Sequence, residues 1–229
     1  MIFHQLFETE SSTYTYLLAC EQTREAILID PVLETVERDA KIIRELELKL
    51  LYTIETHVHA DHITGADKLK KLFNSKTILS KHANISCADI LVSEGDVVKF
   101  GNHQLKIFET RGHTDSCMSL YLDGMVFTGD LLFIRGTGRT DFQQGNSQLM
   151  YQNIHQKIFT LPPETKIYPG HDYKGMSYST VAQELKFNPR VGGGKSEQDF
   201  IKIMQELKLA DPKKIAIAVP ANLKCGAID

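Results

Sequence analysis

The sequence has no long hydrophobic run, few cysteines and no marked excess of charge of either sign. Its 26 basic and 29 acidic side chains leave a formal net charge of −3 over 229 residues. This balance argues against a nucleic-acid-binding protein, which would carry a basic surface. No apolar run approaches the roughly 18 residues needed to span a bilayer, and the first residues lack a basic and then apolar leader. We therefore expect a cytoplasmic protein that has neither a nucleic acid nor a membrane as its partner.

The four cysteines, Cys20, Cys87, Cys117 and Cys225, are far apart and include no CxxC pair. Their spacing argues against a disulfide scaffold and against a zinc site built from cysteines. We expect Cys20 and Cys87 to be structural, Cys117 to lie in the core, and Cys225 to be a buried thiol.

Hydrophobic periodicity predicts two strand-rich halves, each followed by helices. Short apolar runs at positions 2–7, 14–20 and 26–30 predict strands, and a helix from about residue 33 precedes a strand at 49–56. A helix between two strands is typical of a βαβ unit. Further predicted elements are helices at 65–73, 148–159 and from Ser196, and strands at 77–80, 96–100, 104–110, 118–122, 125–128 and 166–168.

The strongest functional signal is the sequence THVHADH at residues 56–62, which follows a predicted strand and precedes a predicted helix. His57 and His59 are two residues apart and therefore point to the same side of an extended chain. Asp61 and His62 come from the turn that follows. Imidazole and carboxylate ligands that converge on one point suit Zn or Fe. We prefer a metal site to a polar loop because burying several titratable groups together is costly without compensation.

Three further segments place a ligand-type residue after an apolar strand. They contain His113 in Gly-His-Thr, Asp130 in Thr-Gly-Asp, and His171 in Pro-Gly-His-Asp. Each segment alone is a weak signal, since a lone histidine is more often structural. Together with the first motif they form an ordered set of metal ligands, which the histidines at positions 4, 82, 103 and 155 do not join.

This ordered set resembles the metallo-β-lactamase superfamily. The resemblance implies an α/β (α+β) fold, an αββα sandwich of two mixed β-sheets flanked by helices. We expect residues 1–229 to form a single domain of this fold, with 176–229 as a short C-terminal extension that contributes to the substrate site. In the glyoxalase II branch, the resemblance implies two metal ions. The first would be held by His57, His59 and His113, and the second by Asp61, His62 and His171, with Asp130 bridging them.

Longer motifs are similar to the persulfide dioxygenases, also called sulfur dioxygenases, of this superfamily. They include THVHADHITG from Thr56, GRTDFQQG from Gly138, and the ending VPAN…CG from Val219, and the resemblance extends over essentially the whole chain. One departure is Asp115-Ser116, where the family commonly has Pro-Gly. Another is the glycine run at 192–194, which reads as a mobile connector and can alter a substrate-facing loop.

The resemblance to persulfide dioxygenases implies one Fe(II) per chain, held by two histidines and a carboxylate that leave positions open for substrate and dioxygen. It implies that glutathione persulfide is oxidised with O2 and water to sulfite and glutathione. The implied iron ligands are His57, His113 and Asp130. The side chains that would orient these ligands, or would hold a second metal instead, are His59, Asp61, His62 and His171.

Glutathione carries two carboxylates, so its site needs cations and hydrogen-bond donors. Arg139 is the first candidate because an arginine fork binds a carboxylate through two hydrogen bonds. Tyr173 matches a glutathione-contacting tyrosine of the glyoxalase II family. Arg190 and Lys195 are further candidates, each equally readable as a solvated surface charge.

The resemblance places the reaction in sulfur metabolism and hydrogen sulfide detoxification. It also leaves room for a homodimer and for a sulfurtransferase (rhodanese) that supplies the persulfide. The intact second ligand set favours an alternative, a dinuclear-zinc hydrolase of S-acylglutathione thioesters of the glyoxalase II type. A third reading, a non-catalytic binding module, is disfavoured by the retained ligands.

Overall fold

The computed structural model describes residues 1–227, and this chain divides into two compact units. The first unit contains Met1–Val92, Val97–Leu105 and the segment that begins at Asp211. The second contains Ser93–Asp96 and Lys106–Ala210. The proposed extension at 176–229 thus contributes to both units, and its last two residues lie outside the described ones. The expectation of a single domain stays a prediction.

The first sheet has six strands that lie side by side in chain order, β1 to β6. The pairs β1–β2 and β2–β3 are antiparallel, and the strands from β3 to β6 are parallel, so the sheet is mixed. The parallel pair β3–β4 flanks helix α1, which confirms the predicted βαβ unit. The elements are β1 Ile2–Glu8, β2 Thr13–Ala19, β3 Glu25–Ile29, α1 Val36–Glu45, β4 Lys49–Ile54, α2 Ala66–Phe73, β5 Lys76–Ser80 and β6 Ile90–Val92.

Helices α1 and α2 cover one face of this sheet. Helix α1 buries Val36 and Ile43, which lie two turns apart on the apolar stripe. These side chains share a core with Leu17 of β2, Leu28 of β3 and Leu69 of α2. This packing holds β3 and β4 in place, and residues 56–64, with the THVHADH motif, follow the end of β4.

The second sheet has six strands in the order β12-β11-β10-β9-β8-β7. The pair β10–β11 is parallel, whereas β11–β12, β9–β10 and β8–β9 are antiparallel. The prediction of two mixed sheets with helices is therefore confirmed. The elements are β7 Val97–Phe100, β8 His103–Glu109, β9 Met118–Leu122, β10 Met125–Gly129, α3 Ser147–Asn153, β11 Lys166–Pro169, β12 Ser179–Thr180, α4 Val181–Phe187, α5 Glu197–Glu206 and α6 Ile215–Asn222.

The core of the second unit joins its sheet to helices α3 and α5. Val126 of β10 and Ile167 of β11 pack with Met150 of α3 and with Phe200 and Met204 of α5. The described helices are short, at most 10 residues long. Within residues 1–227, none is long and apolar enough to cross a membrane.

Two elements differ from the sequence prediction for physical reasons. The predicted helix at 148–159 is α3 followed by a π-helical turn at Ile154–Ile158. The glycine run at 192–194 is not a free connector, because it forms a hydrogen-bonded turn after α4. The N–H of Gly192 donates to Asn188 O at 3.0 Å, and that of Gly193 donates to Leu185 O at 2.8 Å.

A disulfide bond joins Cys87 to Cys225, with the Cα atoms 5.8 Å apart. The expectation of a buried thiol at Cys225 is therefore wrong: the residue is buried, but its sulfur is bonded to Cys87. They are separated by 138 residues in sequence, and only the fold brings the C-terminal turn beside the loop between β5 and β6. Cys20 and Cys117 are buried and belong to no disulfide among residues 1–227, which agrees with the expected core position of Cys117.

Candidate metal centre

In the first unit, the loop of residues 56–64 carries the THVHADH motif; we call it the ligand loop. It follows β4, while Asp30 follows the parallel strand β3, so both lie at the same edge of the sheet. Asp30 Oδ1 accepts the N–H of Thr56 at 2.6 Å, and its Oδ2 accepts the Thr56 hydroxyl at 2.8 Å. Asp30 has a φ of 49°, an uncommon conformation for a non-glycine residue, which these two bonds help to hold.

Three histidines of the ligand loop form a cluster of buried rings that are tilted against one another. The ring centroids of His57 and His59 are 4.1 Å apart, and those of His59 and His62 are 4.3 Å apart. All three side chains are buried. The spacing of the motif thus gathers three imidazoles at one place in this unit.

Two carboxylates lie beside one nitrogen of His59. Its Nε2 lies 3.1 Å from Asp30 Oδ1 and 3.3 Å from Glu55 Oε2. Burial lowers the pKa of His59, but the charge of Asp30 and the hydrogen bonds to Asp30 and Glu55 outweigh it, and the pKa lies well above its usual value. The other nitrogen, Nδ1, is buried and has no hydrogen-bond partner among residues 1–227. The carboxylates beside Nε2 favour a positively charged group here. A metal ion bound at Nδ1 would supply that positive charge in place of a second ring proton.

His62 presents a second buried nitrogen of the same kind. Its Nδ1 lies 2.9 Å from Asp61 Oδ2, while its Nε2 has no hydrogen-bond partner in the described part of the chain. Ligand atoms of His59, Asp61 and His62 lie within 4.8 Å of one another. Because buried polar atoms are nearly always paired, this donor set fits a metal ion.

In the second unit, Asp130 lies between two histidines. Asp130 and His171 follow the parallel strands β10 and β11, which brings them to one sheet edge. Asp130 Oδ2 lies 3.5 Å from His113 Nε2, and Oδ1 lies 3.4 Å from His171 Nε2. Oδ1 is buried without a hydrogen-bond partner within residues 1–227. A buried carboxylate that is not fully hydrogen-bonded between imidazole nitrogens also fits a metal ion.

The surrounding backbone fixes the orientation of His113 and leaves room for Asp130. His113 Nδ1 lies 2.7 Å from the carbonyl oxygen of Arg139, so Nδ1 carries the proton and Nε2 is left for a metal. Two glycines leave room for Asp130. A Cβ at Gly170 would lie 2.6 Å from Asp130 Oδ1, and one at Gly138 would lie 2.1 Å from the Asp130 carbonyl oxygen.

The guanidinium of Arg139 is already bound within the second unit. Its Nε and Nη2 donate to the carboxylate of Asp141 at 2.6 and 2.8 Å, and Nη1 donates to Ala210 O at 2.7 Å. The group also lies over the ring of Phe142, 4.3 Å from its centroid. The fork expected to bind a substrate carboxylate thus holds a carboxylate of the chain itself.

The other predicted substrate residues differ in their surroundings. Tyr173 is 71% exposed and its ring stacks on His171 with 6.0 Å between centroids. Arg190 is partly buried and its Nη1 donates to Thr137 O at 2.6 Å, which braces the loop before Arg139. Lys195 is half-exposed, and its backbone carbonyl accepts the Tyr151 hydroxyl at 2.8 Å.

Three residues at the ligand loop were not predicted from the sequence. Asp30 and Glu55 hold His59, and Asn222 holds the backbone of the loop. The Asn222 Nδ2 group donates to His59 O at 2.9 Å and to His62 O at 2.8 Å. Asn222 belongs to the VPAN motif. Its position in this unusual motif was the only feature of the sequence that could have indicated its role.

Comparison with known proteins gives the family. Residues 9–171 match the Metallo-beta-lactamase superfamily. "Persulfide dioxygenase ETHE1, mitochondrial" of Mus musculus is 49% identical over 229 residues, which cover 99% of this chain and 89% of that protein. The crystal structure of ETHE1 from Myxococcus xanthus has 50% identity and a TM-score of 0.96, and covers 99% of this chain and 100% of that one.

A more distant relative represents the hydrolase alternative. A probable hydroxyacylglutathione hydrolase of Schizosaccharomyces pombe is 33% identical over 179 residues, which cover 76% of this chain and 69% of that protein. Its identity and coverage are both lower than those of the persulfide dioxygenases. The chain therefore belongs to the persulfide dioxygenase family of the metallo-β-lactamase superfamily.

Proposed function

We propose that this chain is an iron-dependent persulfide dioxygenase that oxidises glutathione persulfide with O2 and water to sulfite and glutathione. Its full-length similarity to proteins named persulfide dioxygenase carries the proposal. One Fe(II) per chain would be held by His57, His113 and Asp130. The iron would supply a redox centre with open positions for the persulfide sulfur and dioxygen.

The protein's own contribution is to fix the donor atoms. His57 Nδ1 lies 3.0 Å from the Thr56 hydroxyl, and His113 Nδ1 donates to the Arg139 carbonyl. In each ring this contact leaves Nε2 for the metal. His59, Asp61, His62 and His171 would orient these ligands and surround the reacting sulfur.

We propose that Arg139 and Tyr173 contact the glutathione portion of the substrate, with Arg190 and Lys195 as further contacts. Arg139 would exchange Asp141 for a substrate carboxylate, which keeps its bidentate geometry. An open cleft of about 440 Å³ is lined by Asp141 and by residues that include Thr140 and Gln148. Tyr173 would contact glutathione through its exposed ring, which stacks on His171.

One observation favours a second candidate, a dinuclear-zinc hydrolase of S-acylglutathione thioesters. His59 Nδ1 and His62 Nε2 are buried without hydrogen-bond partners in the described part of the chain. Together with Asp61 they form a donor set within the first unit. A second metal held there, with His171, would supply the hydrolase centre.

We further propose a cytoplasmic location and a role in hydrogen sulfide detoxification. A homodimer and an upstream sulfurtransferase (rhodanese) stay part of this proposal. The mouse relative is named a mitochondrial protein, so fractionation of the producing cell tests the location directly.

Metal content and oxygen uptake, measured on one anaerobically purified sample, test the proposed activity. We expect about one iron per chain and oxygen uptake that starts when glutathione persulfide is added. Two zinc ions per chain, with hydrolysis of S-lactoylglutathione and no oxygen uptake, would establish the hydrolase instead.

A further inference from the structure

The last residues of the first unit hold the ligand loop in place. Asn222 is buried, and its side chain makes three hydrogen bonds to the loop backbone. Nδ2 donates to His59 O and His62 O, and Oδ1 accepts the N–H of Thr64 at 2.9 Å. One amide thus fixes three points of the loop that presents the histidines. We call residues 222–226 the C-terminal clamp.

The rest of the clamp continues this contact. The N–H of Asp67, in the first turn of α2, donates to Cys225 O at 3.2 Å. Gly226 has a φ of +81°, and a Cβ there would lie 2.2 Å from Thr64 O. The clamp therefore needs glycine at this position to lie directly on the end of the ligand loop.

Helix α6, which precedes the clamp, is weakly stabilised by its own sequence and packing. It contains Pro220 and has no side-chain cap at its N-terminus. Ile217 is 58% exposed, and only Ala218 and Asn222 are buried in this helix. A short helix with so little buried surface opens easily. The ion pairs of Lys214 with Glu10 and Glu34 lie at its exposed start, where such pairs contribute little.

The Cys87–Cys225 disulfide links the C-terminal clamp covalently to another part of the first unit. Cys225 is buried and packs with Leu79, Ile85 and Val58, the residue between His57 and His59. Cys87 lies in the loop before β6 and is partly exposed. The bond thus ties the clamp to the loop before β6 in the same unit, and Cys87 is the more exposed of its two residues.

We propose that this disulfide is a thiol-exchangeable lock on the clamp, and that Asn222 is a positioning residue for the ligand loop. A low-molecular-weight thiolate attacks Cys87 Sγ, forms a mixed disulfide there, and expels Cys225 as a thiolate, which takes up a proton. A second thiol then attacks the mixed disulfide, releasing Cys87 as a thiol and the external disulfide. Two external thiols are oxidised and one protein disulfide is reduced.

Opening the lock leaves the clamp held only by its non-covalent contacts. The ligand loop then loses its fixed position more often, and a bound metal escapes more readily. Only this last step rests on the proposed function; the mobility of the loop does not.

Hydrogen exchange of the oxidised and reduced protein tests the lock. The reporters are the Thr64 and Asp67 amides, which donate to Asn222 and Cys225. We expect reduction to speed their exchange about tenfold, and Cys87→Ser to exchange at the fast rate in both states. Cys20→Ser, which removes a buried free thiol and keeps the disulfide, should behave as the wild type. Peptide mapping without reductant should recover the Cys87 and Cys225 peptides as one cross-linked species.

A parallel measurement of iron release to a chelator separates this inference from the proposed function. We expect release to quicken about tenfold on reduction of the wild type and on Asn222→Asp substitution, which removes the Nδ2 donor to His59 O and His62 O; circular dichroism checks that the variant is folded. If the protein binds no iron but the exchange difference is present, the lock stands and the proposed function fails. Equal exchange and equal iron release in the oxidised protein, the reduced protein and Cys87→Ser would overturn the lock.

Discussion

Asp130 shows how a single side chain can require a cation. Both of its oxygens lie near imidazole nitrogens, at 3.5 Å from His113 and 3.4 Å from His171. These distances are too long for good hydrogen bonds, and a buried carboxylate without them is costly. A metal ion would compensate this cost, which is the reason that we propose Asp130 as a metal ligand.

Replacing Asp130 with asparagine keeps its shape and removes its charge. We expect Asp130→Asn and His113→Ala to retain at most about one tenth of the iron that the wild type binds. The circular dichroism spectrum of Asp130→Asn should stay native. Elemental analysis after anaerobic loading measures the effect. His4→Ala, on β1 and outside the ligand set, should retain its iron. Full iron content in Asp130→Asn would remove Asp130 from the ligands.

Asp39 on α1 is a buried carboxyl outside the metal site. Burial raises its pKa, and the charge and hydrogen bonds of Arg38 and the bond from Thr35 lower it less, so the net pKa is raised. The folded chain therefore binds this proton more tightly than the unfolded chain does. Its stabilising contribution is present below the unfolded pKa and is lost as the pH rises through the folded pKa.

The wild type should therefore lose unfolding free energy relative to Asp39→Asn as the pH rises from about 4 to neutral. Urea unfolding of both proteins across this range gives the difference. A constant difference for Asp39→Asn would contradict the role of burial.

At the scale of elements, helix ends anchor the second unit. Helix α5 begins with a capping box: the Asp199 N–H donates to Ser196 Oγ at 3.2 Å, and the Ser196 N–H donates to Asp199 Oδ2 at 3.0 Å. The helix carries Phe200 and Met204 into the core. Fraying of the first turn would therefore disturb the packing of Phe200 in the core.

We expect Ser196→Ala to lower the free energy of unfolding by about 1 kcal/mol. Urea denaturation measures this loss. Ser86→Ala, at an exposed loop position, should cost nothing comparable. An unchanged midpoint for Ser196→Ala would mean that the cap does not support the helix.

Elements with a clear period were predictable from the sequence, and so was the capping box at Ser196. Helix α6 was not, because it is apolar along its length and contains Pro220, which hides any helical stripe. That the HxHxDH side chains lie together was predictable, because all four fall within six residues of sequence. The contact of Asp30 with His59 was not, since it joins residues 29 positions apart through the parallel pairing of β3 and β4. The disulfide was not predicted either, because Cys87 and Cys225 are 138 residues apart in sequence.

At the scale of the whole molecule, a bound metal should stabilise the folded chain. A ligand that binds only the folded state adds about 2.7 kcal/mol at one hundred times its Kd. For a chain of this length we expect Fe(II), added without oxygen, to raise Tm by about 5–10 °C. Asp130→Asn should show no such rise, and calorimetry measures both. An equal rise in the two proteins would place the metal elsewhere.

The most direct test is the stoichiometry of the reaction. Iron-loaded protein receives glutathione persulfide in an oxygen electrode, and sulfite is assayed in the same vessel. We predict one sulfite formed for each O2 consumed, with release of glutathione. The account is contradicted if iron-loaded protein consumes no oxygen and forms no sulfite.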